Sequence, residues 1–300
     1  MKSLISSMLL LLVLLMPATV FAYDFEVDGI YYNINGNDVA VTCSDSWPGT
    51  YSGAVVIPAT VTYSGTTYSV TSIDDFAFSD CTGLASIFIP NSVTSIGEDA
   101  FRYCRGLTSI VIPNSVTSIG DHAFRECTGL TSIVVPNSVT SIGGYAFWDC
   151  TGLTSIVIPN SITSIGDVAF RECTGLTDAY CYIADLSRVS SGNNQFYLAD
   201  GDYSGRTLHV LQGMAAAYRA DVNWYPYFGQ IVDDLKPDVP GDVNGDLEVN
   251  IADVNAVTDI ILGGSGDPSA ADVNGDGEIN IADINALINI ILGATERTCL

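Results

Sequence analysis

The sequence predicts a β-rich solenoid of 23-residue coils with parallel strands, followed by a small α-helical domain of two loop–helix units. Five cysteines from Cys81 to Cys173 recur every 23 residues, and phenylalanine, isoleucine and Gly-Leu positions keep the same spacing. Segment 241–264 repeats at 271–294 with 16 of 24 residues identical. Fixed periods are typical of stacked units that bury their apolar faces against their neighbours. The length of 300 residues is enough for about two domains.

The charge balance excludes two classes of partner. The chain has 10 Lys+Arg against 34 Asp+Glu, a net charge of −24. It lacks the basic surface that binds nucleic-acid phosphates, and anionic lipid would repel it. With 15% charged and 48% hydrophobic residues, the composition is that of a folded chain.

The N-terminus is typical of an export signal. Lys2 precedes an apolar run from Met8 to Met16, and a small-residue stretch ends at Ala22. Because the run is shorter than the about 20 apolar residues that span a bilayer, we expect cleavage near Ala22 rather than membrane insertion. The mature protein is expected to be secreted or associated with the cell surface.

One coil shows how the repeat is expected to fold. Ile110 and Ile112 are separated by one residue, which is the period of a strand, and β-branched residues dominate the segment. Pro113 ends this strand, and a second, short strand ends at Ile119. Residues 121–127 then close the coil as a turn or a short helical piece.

The repeats and their surroundings divide the chain into six segments. An open coil would expose apolar core and unpaired strand edge, so we expect a cap at each end of the solenoid. The expected segments are a signal peptide at 1–22, an N-terminal cap at 23–53, the solenoid at 54–180, a C-terminal cap at 181–232, a linker at 233–240 and the helical domain at 241–300.

The repeat pattern L-x-x-I-x-I-P-x-x-V-x-x-I-G-x-x-A-F-x-x-C resembles the BspA-like, treponemal type of leucine-rich repeat over about residues 54–180. The resemblance implies a leucine-rich-repeat solenoid in a bacterial surface or secreted protein. It also implies adhesion to host proteins or to other cells.

The cysteine ladder has three interpretations: disulfides, a metal site or buried apolar filler. Equivalent atoms of adjacent coils lie about 4.8 Å apart, whereas bridged Cβ atoms prefer about 3.8 Å. No C-x-x-C motif or histidine cluster occurs. Buried filler is the favoured interpretation, and the oxidation state stays open.

An outward apolar stripe is the predicted partner surface of the solenoid. One residue in each coil lies between two inward-facing positions of the first strand. A contiguous exposed apolar stripe usually marks an interface, although a cap could cover it or strand propensity alone could explain it. Its residues are Phe88, Val111, Val134, Val157 and Tyr180.

Substitutions between coils gather at two other positions. They are candidates for specific recognition, or else neutral exposed sites. One position is occupied by Phe76, Asp99, His122, Tyr145 and Val168, and the other by Ser79, Arg102, Arg125, Trp148 and Arg171.

Each half of the second repeat opens with D-x-N-x-D-x-E-x-N-x-x-D. Loop positions 1, 3, 5, 9 and 12 offer side-chain oxygens and position 7 its backbone carbonyl, the hard donor set and spacing that suit Ca²⁺. Segment 241–294 contains no Lys or Arg against ten acids, so we expect metal binding to be coupled to folding. The predicted ligands are Asp242, Asn244, Asp246, Glu248, Asn250, Asp253, Asp272, Asn274, Asp276, Glu278, Asn280 and Asp283.

The two predicted calcium sites are not equivalent. The sharp turn at loop position 6 prefers glycine; the second loop has Gly277 there, but the first has Leu247. We therefore expect the first site to be weaker. Apolar periodicity predicts a helix behind each loop, with its C-terminus at Gly263 or Gly293.

Two such loops, each followed by one helix, resemble a type I dockerin over 241–294. The resemblance implies Ca²⁺-dependent docking to a cohesin-bearing scaffold protein, in the context of polysaccharide breakdown. The near-identical halves imply two possible binding orientations; packing between the helices is the alternative role for the same residues. The implied contact residues are Ile251, Ala252, Thr258, Asp259, Ile281, Ala282, Ile288 and Asn289.

No catalytic function is expected. The chain has two histidines, His122 and His209, and no hydrolase, metalloprotease or phosphate-loop motif. The favoured function is a secreted binding protein whose solenoid holds a protein or glycan target. The alternative is a free-standing adhesin or structural protein whose calcium domain has no cohesin partner.

Overall fold

The structure is a computed structural model that describes residues 23–44, 49–236, 251–262, 271–273 and 278–296. The predicted signal peptide at 1–22 and residues 237–240 of the predicted linker lie outside these residues. Among the helices that are described, none is long and apolar enough to cross a membrane.

Short strands dominate the chain. The strands are β1 Phe25–Val27, β2 Ile30–Asn35, β3 Asp38–Thr42, β4 Gly53–Val56, β5 Thr60–Tyr63, β6 Thr66–Ile73, β7 Leu84–Phe88, β8 Ser95–Ile96, β9 Ser118–Ile119, β10 Ser132–Val134, β11 Ser141–Ile142, β12 Ser155–Ile158, β13 Ser164–Ile165, β14 Asp178–Cys181, β15 Ser190–Ser191, β16 Thr207–Leu211 and β17 Gln230–Leu235. The helices are α1 Ala215–Ala220, α2 Ile251–Ile261 and α3 Ile281–Glu296, with 3₁₀ turns at Leu186–Arg188 and Tyr225–Tyr227.

The first and longest sheet runs along one side of the stack. Its order is β1-β2-β3-β6-β8-β9-β11-β13-β15, with β5 paired to β6. From β3 to β15 neighbouring strands on this path are parallel. The repeat isoleucines of successive coils are in register, as Ile96 is with Ile119 and Ile119 with Ile142. The predicted parallel-strand solenoid is therefore confirmed.

A second face of the stack is less regular. The parallel sheet β10-β12-β14-β16-β17 covers one part, and the parallel pair β4-β7 covers another. The strand predicted around Ile110 and Ile112 is wrong as a hydrogen-bonded element, because residues 107–113 form no regular strand. Both isoleucine side chains are nevertheless buried, so this coil keeps its inward packing without a complete ladder.

The third face is built from stacked turns rather than helical pieces. Alternate amides donate to the carbonyl oxygens of the next coil: Phe76 N to Glu98 O at 2.9 Å and Phe78 N to Ala100 O at 2.7 Å. Later coils repeat the pattern. The turn geometry places non-glycine residues in the left-handed region, for example Phe76 at φ 60° and Asp80 at φ 58°. We call this surface the turn face.

A ladder of rings fills the core. The five repeat phenylalanines from Phe78 to Phe170 stack with centroids 5.0–5.3 Å apart. Tyr51 packs at one end, 4.6 Å from Phe78. At the other end Phe196 stacks 5.0 Å from Phe170, and Trp224 packs against Phe196. Segments before and after the repeats thus contact both ends of the ladder, and the domain boundaries stay predictions.

Candidate interaction surfaces

The structure places the predicted apolar stripe on the outer surface of the second face. Phe88 is 58% exposed, Val111 79% and Val134 61%. Val157 and Tyr180 are half-buried, and the parallel pairing of β10, β12 and β14 puts Val134, Val157 and Tyr180 side by side. Strand alternation explains the arrangement, because each of these side chains points away from two buried neighbours.

The stripe is longer than its sequence pattern indicates. At one end Val56 of β4 pairs with Phe88 and is exposed. At the other end His209 of β16 pairs with Tyr180, and Val232 of β17 pairs with His209. The repeat spacing is lost at both ends, so periodicity missed these positions. Aligning the inward residues of β16 with those of β12 would have found His209.

A shallow groove accompanies the start of the stripe. It lies between the outward side chains Val56, Phe88 and Val111 and the prolines that end the same segments, Pro58, Pro90 and Pro113. The groove is mostly apolar, because proline recurs where each of these extended segments ends.

His209 joins the end of the stripe to two acids. Its ring stacks on Tyr180 with centroids 4.5 Å apart. Nδ1 lies 2.8 Å from Asp234 Oδ2, and Nε2 lies 3.1 Å from Asp178 Oδ1. Hydrogen bonds from the Thr177 hydroxyl and from His209 lower the pKa of Asp178 below its ordinary value, and the bond from Thr177 has the larger effect. The two carboxylates contact opposite ring nitrogens, so they hold the imidazole between β14 and β17.

The variable positions lie on the turn face, and few of them are freely exposed. Of the ten, Tyr145 alone is exposed, whereas Ser79, Asp99 and Val168 are buried. Cation–π contacts cover several rings on this face: the Arg125 guanidinium lies 4.2 Å from the Trp148 ring centroid. A neutral exposed surface is therefore the wrong description of the three buried positions.

The described part of the second repeat contains five predicted calcium ligands: Asp253, Asp272, Glu278, Asn280 and Asp283. Asp242, Asn244, Asp246, Glu248, Asn250, Asn274 and Asp276 lie outside the described residues.

Asp253 and Asp283, at loop position 12, are fully buried in the first turns of α2 and α3. Asp283 Oδ2 accepts a hydrogen bond of 2.9 Å from the backbone N–H of Asn280. The side-chain Oδ1 of Asn280 accepts one of 2.8 Å from the backbone N–H of Ala282. These bonds fix the end of the second loop against its helix. Buried carboxylates in a segment without Lys or Arg need a countercharge, and the oxygen donor set fits Ca²⁺.

The helix residues proposed for docking are largely on the surface. Ile251 is 68% exposed and Ile281 67%. Both belong to the stretches whose apolar spacing predicted the two helices. Burial is centred instead on Asp253 and Asp283, about 200° around each helix. Among the other proposed contacts, Ala252, Asp259 and Ile288 are exposed, and Thr258 and Ala282 are half-buried. The side chain of Asn289 lies outside the described residues.

The two helices pack through a small apolar cluster. Val257 of α2 and Leu287 of α3 are buried together with Ala271. The helix α3 continues through Gly293 to Glu296, so the predicted end at Gly293 is wrong, and Gly263 lies outside the described residues.

Two family models match separate segments of the chain. The BspA type leucine rich repeat region model matches residues 60–177 in six copies, and the dockerin type I domain model matches residues 240–292. The curated proteins contain no match to this chain.

Several solved bacterial structures are similar. A leucine rich repeat protein of T. pallidum is 25% identical, with a TM-score of 0.46, covering 58% of this chain and 87% of that chain. A leucine rich cell surface protein of Faecalibacterium prausnitzii is 24% identical, with a TM-score of 0.45, covering 65% and 55%. A leucine-rich repeat protein of Bacteroides capillosus is 26% identical, with a TM-score of 0.35, covering 52% and 96%.

Proposed function

We propose that this chain, which combines a BspA-type leucine-rich repeat region at 60–177 with a type I dockerin domain at 240–292, is a secreted, non-catalytic protein with two binding surfaces. The solenoid holds a protein or glycan target. The dockerin domain attaches the chain to a cohesin-type scaffold protein in the service of polysaccharide breakdown.

The paired exposure of Ile251 and Ile281 is the observation that carries the docking proposal. The two residues occupy equivalent positions of the two loop–helix units, and their exposed fractions of 68% and 67% are nearly equal. Exposed isoleucines next to an apolar helix pair are suited to a protein partner. Their equivalence supports two binding orientations related by a pseudo-twofold axis.

Two Ca²⁺ ions hold the dockerin loops in this proposal. Each ion takes the ligands of one loop, and the buried position-12 carboxylates anchor each loop to its helix. The chemistry that Ca²⁺ supplies is charge neutralisation and loop closure. Docking is therefore expected to require calcium, and the first site is expected to be weaker because Leu247 replaces glycine.

The stripe from Val56 to Val232 is the proposed target surface of the solenoid. Exposed apolar residues on successive coils present a row that an extended or helical segment of a partner can cover. The same row supports the second candidate, a free-standing adhesin, in which the stripe is the functional surface and the calcium domain has no cohesin partner.

The test is capture with the full mature chain as bait for the surface and secreted proteins of the source cell. We expect a cohesin-bearing protein to be retained in Ca²⁺ and released by chelator. The double variant Ile251→Asp with Ile281→Asp should abolish this capture, whereas either single variant should retain it through the other orientation. Retention of the same cohesin-bearing protein by the double variant would exclude these residues. Absence of any cohesin-bearing protein, with calcium binding intact, would favour the adhesin.

A further inference from the structure

We propose that Glu98, Asp99 and His122 form a site for a divalent transition-metal ion on the turn face of the solenoid, with Zn²⁺ as the expected occupant. One ligand atom from each residue lies within 4.8 Å of the other two. Imidazole nitrogen and carboxylate oxygen are zinc ligands, with bonds of about 2.0–2.2 Å. Three protein ligands leave a fourth position open for water or for an atom of a bound partner.

Two buried atoms without hydrogen bonds give independent support. Asp99 is only 5% exposed, and both its Oδ1 and the Nδ1 of His122 are buried. Neither atom has a hydrogen-bond partner among the described residues; Asp99 Oδ1 has only the ion pair with Arg102, and His122 Nδ1 has no ion pair. A buried polar nitrogen without a partner, such as His122 Nδ1, costs about 1–3 kcal/mol. A cation between the imidazole and the carboxylate would satisfy both residues at once.

The local charge also permits a cation. Arg102 Nη1 lies 3.3 Å from Asp99 Oδ1, an ion pair without hydrogen-bond geometry. Glu98 supplies a second carboxylate, so the two acids outnumber the one guanidinium. Asp75 adds a third carboxylate nearby, since its Oδ1 accepts a hydrogen bond of 2.7 Å from Glu98 N.

The repeat explains why the site occurs at this place. Asp99 and His122 occupy equivalent positions of adjacent coils, and both have left-handed backbones with φ of 52° and 57°. Stacking of coils therefore places one above the other. The imidazole is held by the Tyr145 ring, whose centroid is 4.8 Å away at an interplanar angle of 15°. The remaining coils have Phe76, Tyr145 and Val168 at this position, which are not zinc ligands.

This site is chemically distinct from the dockerin loops. Ca²⁺ prefers oxygen ligands and six to eight of them, whereas an imidazole with two carboxylates favours Zn²⁺. Zinc binding at the turn face should therefore persist when the loops are saturated with calcium.

The experiment is calorimetric titration of ZnCl₂ into the full mature chain in saturating Ca²⁺ with its thiols reduced. We expect one zinc equivalent per chain. His122→Tyr installs the residue that the next coil carries, and Asp99→Asn keeps the shape of the side chain. Each should weaken zinc binding at least about tenfold, because loss of a supporting residue alone costs 10–100-fold. Glu98→Gln changes an exposed side chain, so it should weaken zinc binding to a similar extent without disturbing the fold.

His209→Gln is the matched control, because His209 is the other histidine of the chain. Its two carboxylates contact opposite ring nitrogens and cannot share one ion with it. Zinc affinity should be unchanged in this variant. The proposal is overturned if zinc does not bind, if Glu98→Gln and His122→Tyr bind it as tightly as the parent, or if His209→Gln removes the binding.

Discussion

The Cys104 thiol donates a hydrogen bond of 3.0 Å to the carbonyl oxygen of Phe78. Cys127, Cys150 and Cys173 make the same bond to the corresponding phenylalanines at 3.1 Å. The cysteines of the ladder are therefore both small fillers of the core and second donors to a carbonyl that already accepts a turn hydrogen bond, as Phe78 O does from Cys81 N at 3.1 Å. In the structure they are free thiols.

Replacement of one ladder thiol tests its two roles. Cys127→Ala should lower the free energy of unfolding by about 1–2 kcal/mol, through a lost hydrogen bond and a small cavity. Cys43→Ala is the control, since Cys43 is half-buried and lies outside the ladder. Urea unfolding of both variants measures the difference; equal stabilities would contradict a structural role for the ladder.

Alkaline pH should destabilise the solenoid through the same thiols. Burial raises the pKa of Cys127 from 9.0 to about 12, and that of Cys173 also to about 12. Below pH 9 both states keep the proton and this contribution is intact. From about pH 9 to 12 these thiols ionise only in the unfolded chain. The free energy of unfolding therefore falls by up to about 1.4 kcal/mol per pH unit for each thiol.

Urea unfolding at pH 8 and pH 10 measures this effect. Cys127→Ala should reduce the loss between the two pH values. A stability that stays constant from pH 8 to pH 10 in the parent would refute the prediction.

The ring ladder should account for much of the solenoid's stability. Phe124 is fully buried between two stacked rings, so Phe124→Ala should cost about 3–5 kcal/mol. Val111→Ala removes an exposed side chain and should stay within about 0.5 kcal/mol of the parent. Thermal and denaturant unfolding of the pair measure the contrast between inward and outward positions.

Charged residues on the stripe should affect binding without affecting folding. Phe88→Asp with Val134→Asp should reduce target binding or self-association at least about tenfold, because carboxylates would have to be desolvated in the interface. Ser86→Asp with Ser132→Asp adds the same charge at neighbouring exposed positions and serves as the control. Equal losses in the two double variants would mean that charge, rather than the apolar stripe, is responsible.

Removal of one position-12 carboxylate should affect the two calcium sites unequally. Asp283→Asn replaces a fully buried ligand in the loop that carries the turn glycine, so we expect a larger loss of calcium affinity there than from Asp253→Asn. Calorimetric titration with CaCl₂ gives both values. Circular dichroism in chelator tests the coupling of calcium to the helices, whose signal should decrease.

The periodicity alone predicted the inward residues of the solenoid and the parallel register of Ile96 on Ile119. Burial repeats with the sequence, since each coil packs only on its neighbours. Hydrogen bonding at 107–113 could not be predicted, because the pattern there is the same as in coils that do form strands. The left-handed backbone conformations of Phe76 and Asp80 could not be predicted either, because non-glycine residues rarely adopt them.

In the helical domain, ligand type and spacing predict calcium loops that lie mostly outside the described residues. The apolar spacing predicted the helices but did not separate Ile251, which is exposed, from Val257, which is buried. An isoleucine at a helix start satisfies the apolar pattern whether or not another element covers it. The metal cluster at Glu98, Asp99 and His122 was missed because its members come from columns that vary between coils. The available signal was the occurrence of two ligand types, Asp99 and His122, at the same position of adjacent coils.

The turn face has one consequence for the history of the protein. Its amides donate in one direction, from each coil to the following one, and every interior coil presents the same row of donors and acceptors. A coil such as 130–152 can be duplicated or lost by recombination without leaving a mismatched junction. Each event would lengthen or shorten the stripe by about 4.8 Å. The length of the stripe can therefore change by one coil at a time, while the end segments and the dockerin domain stay the same.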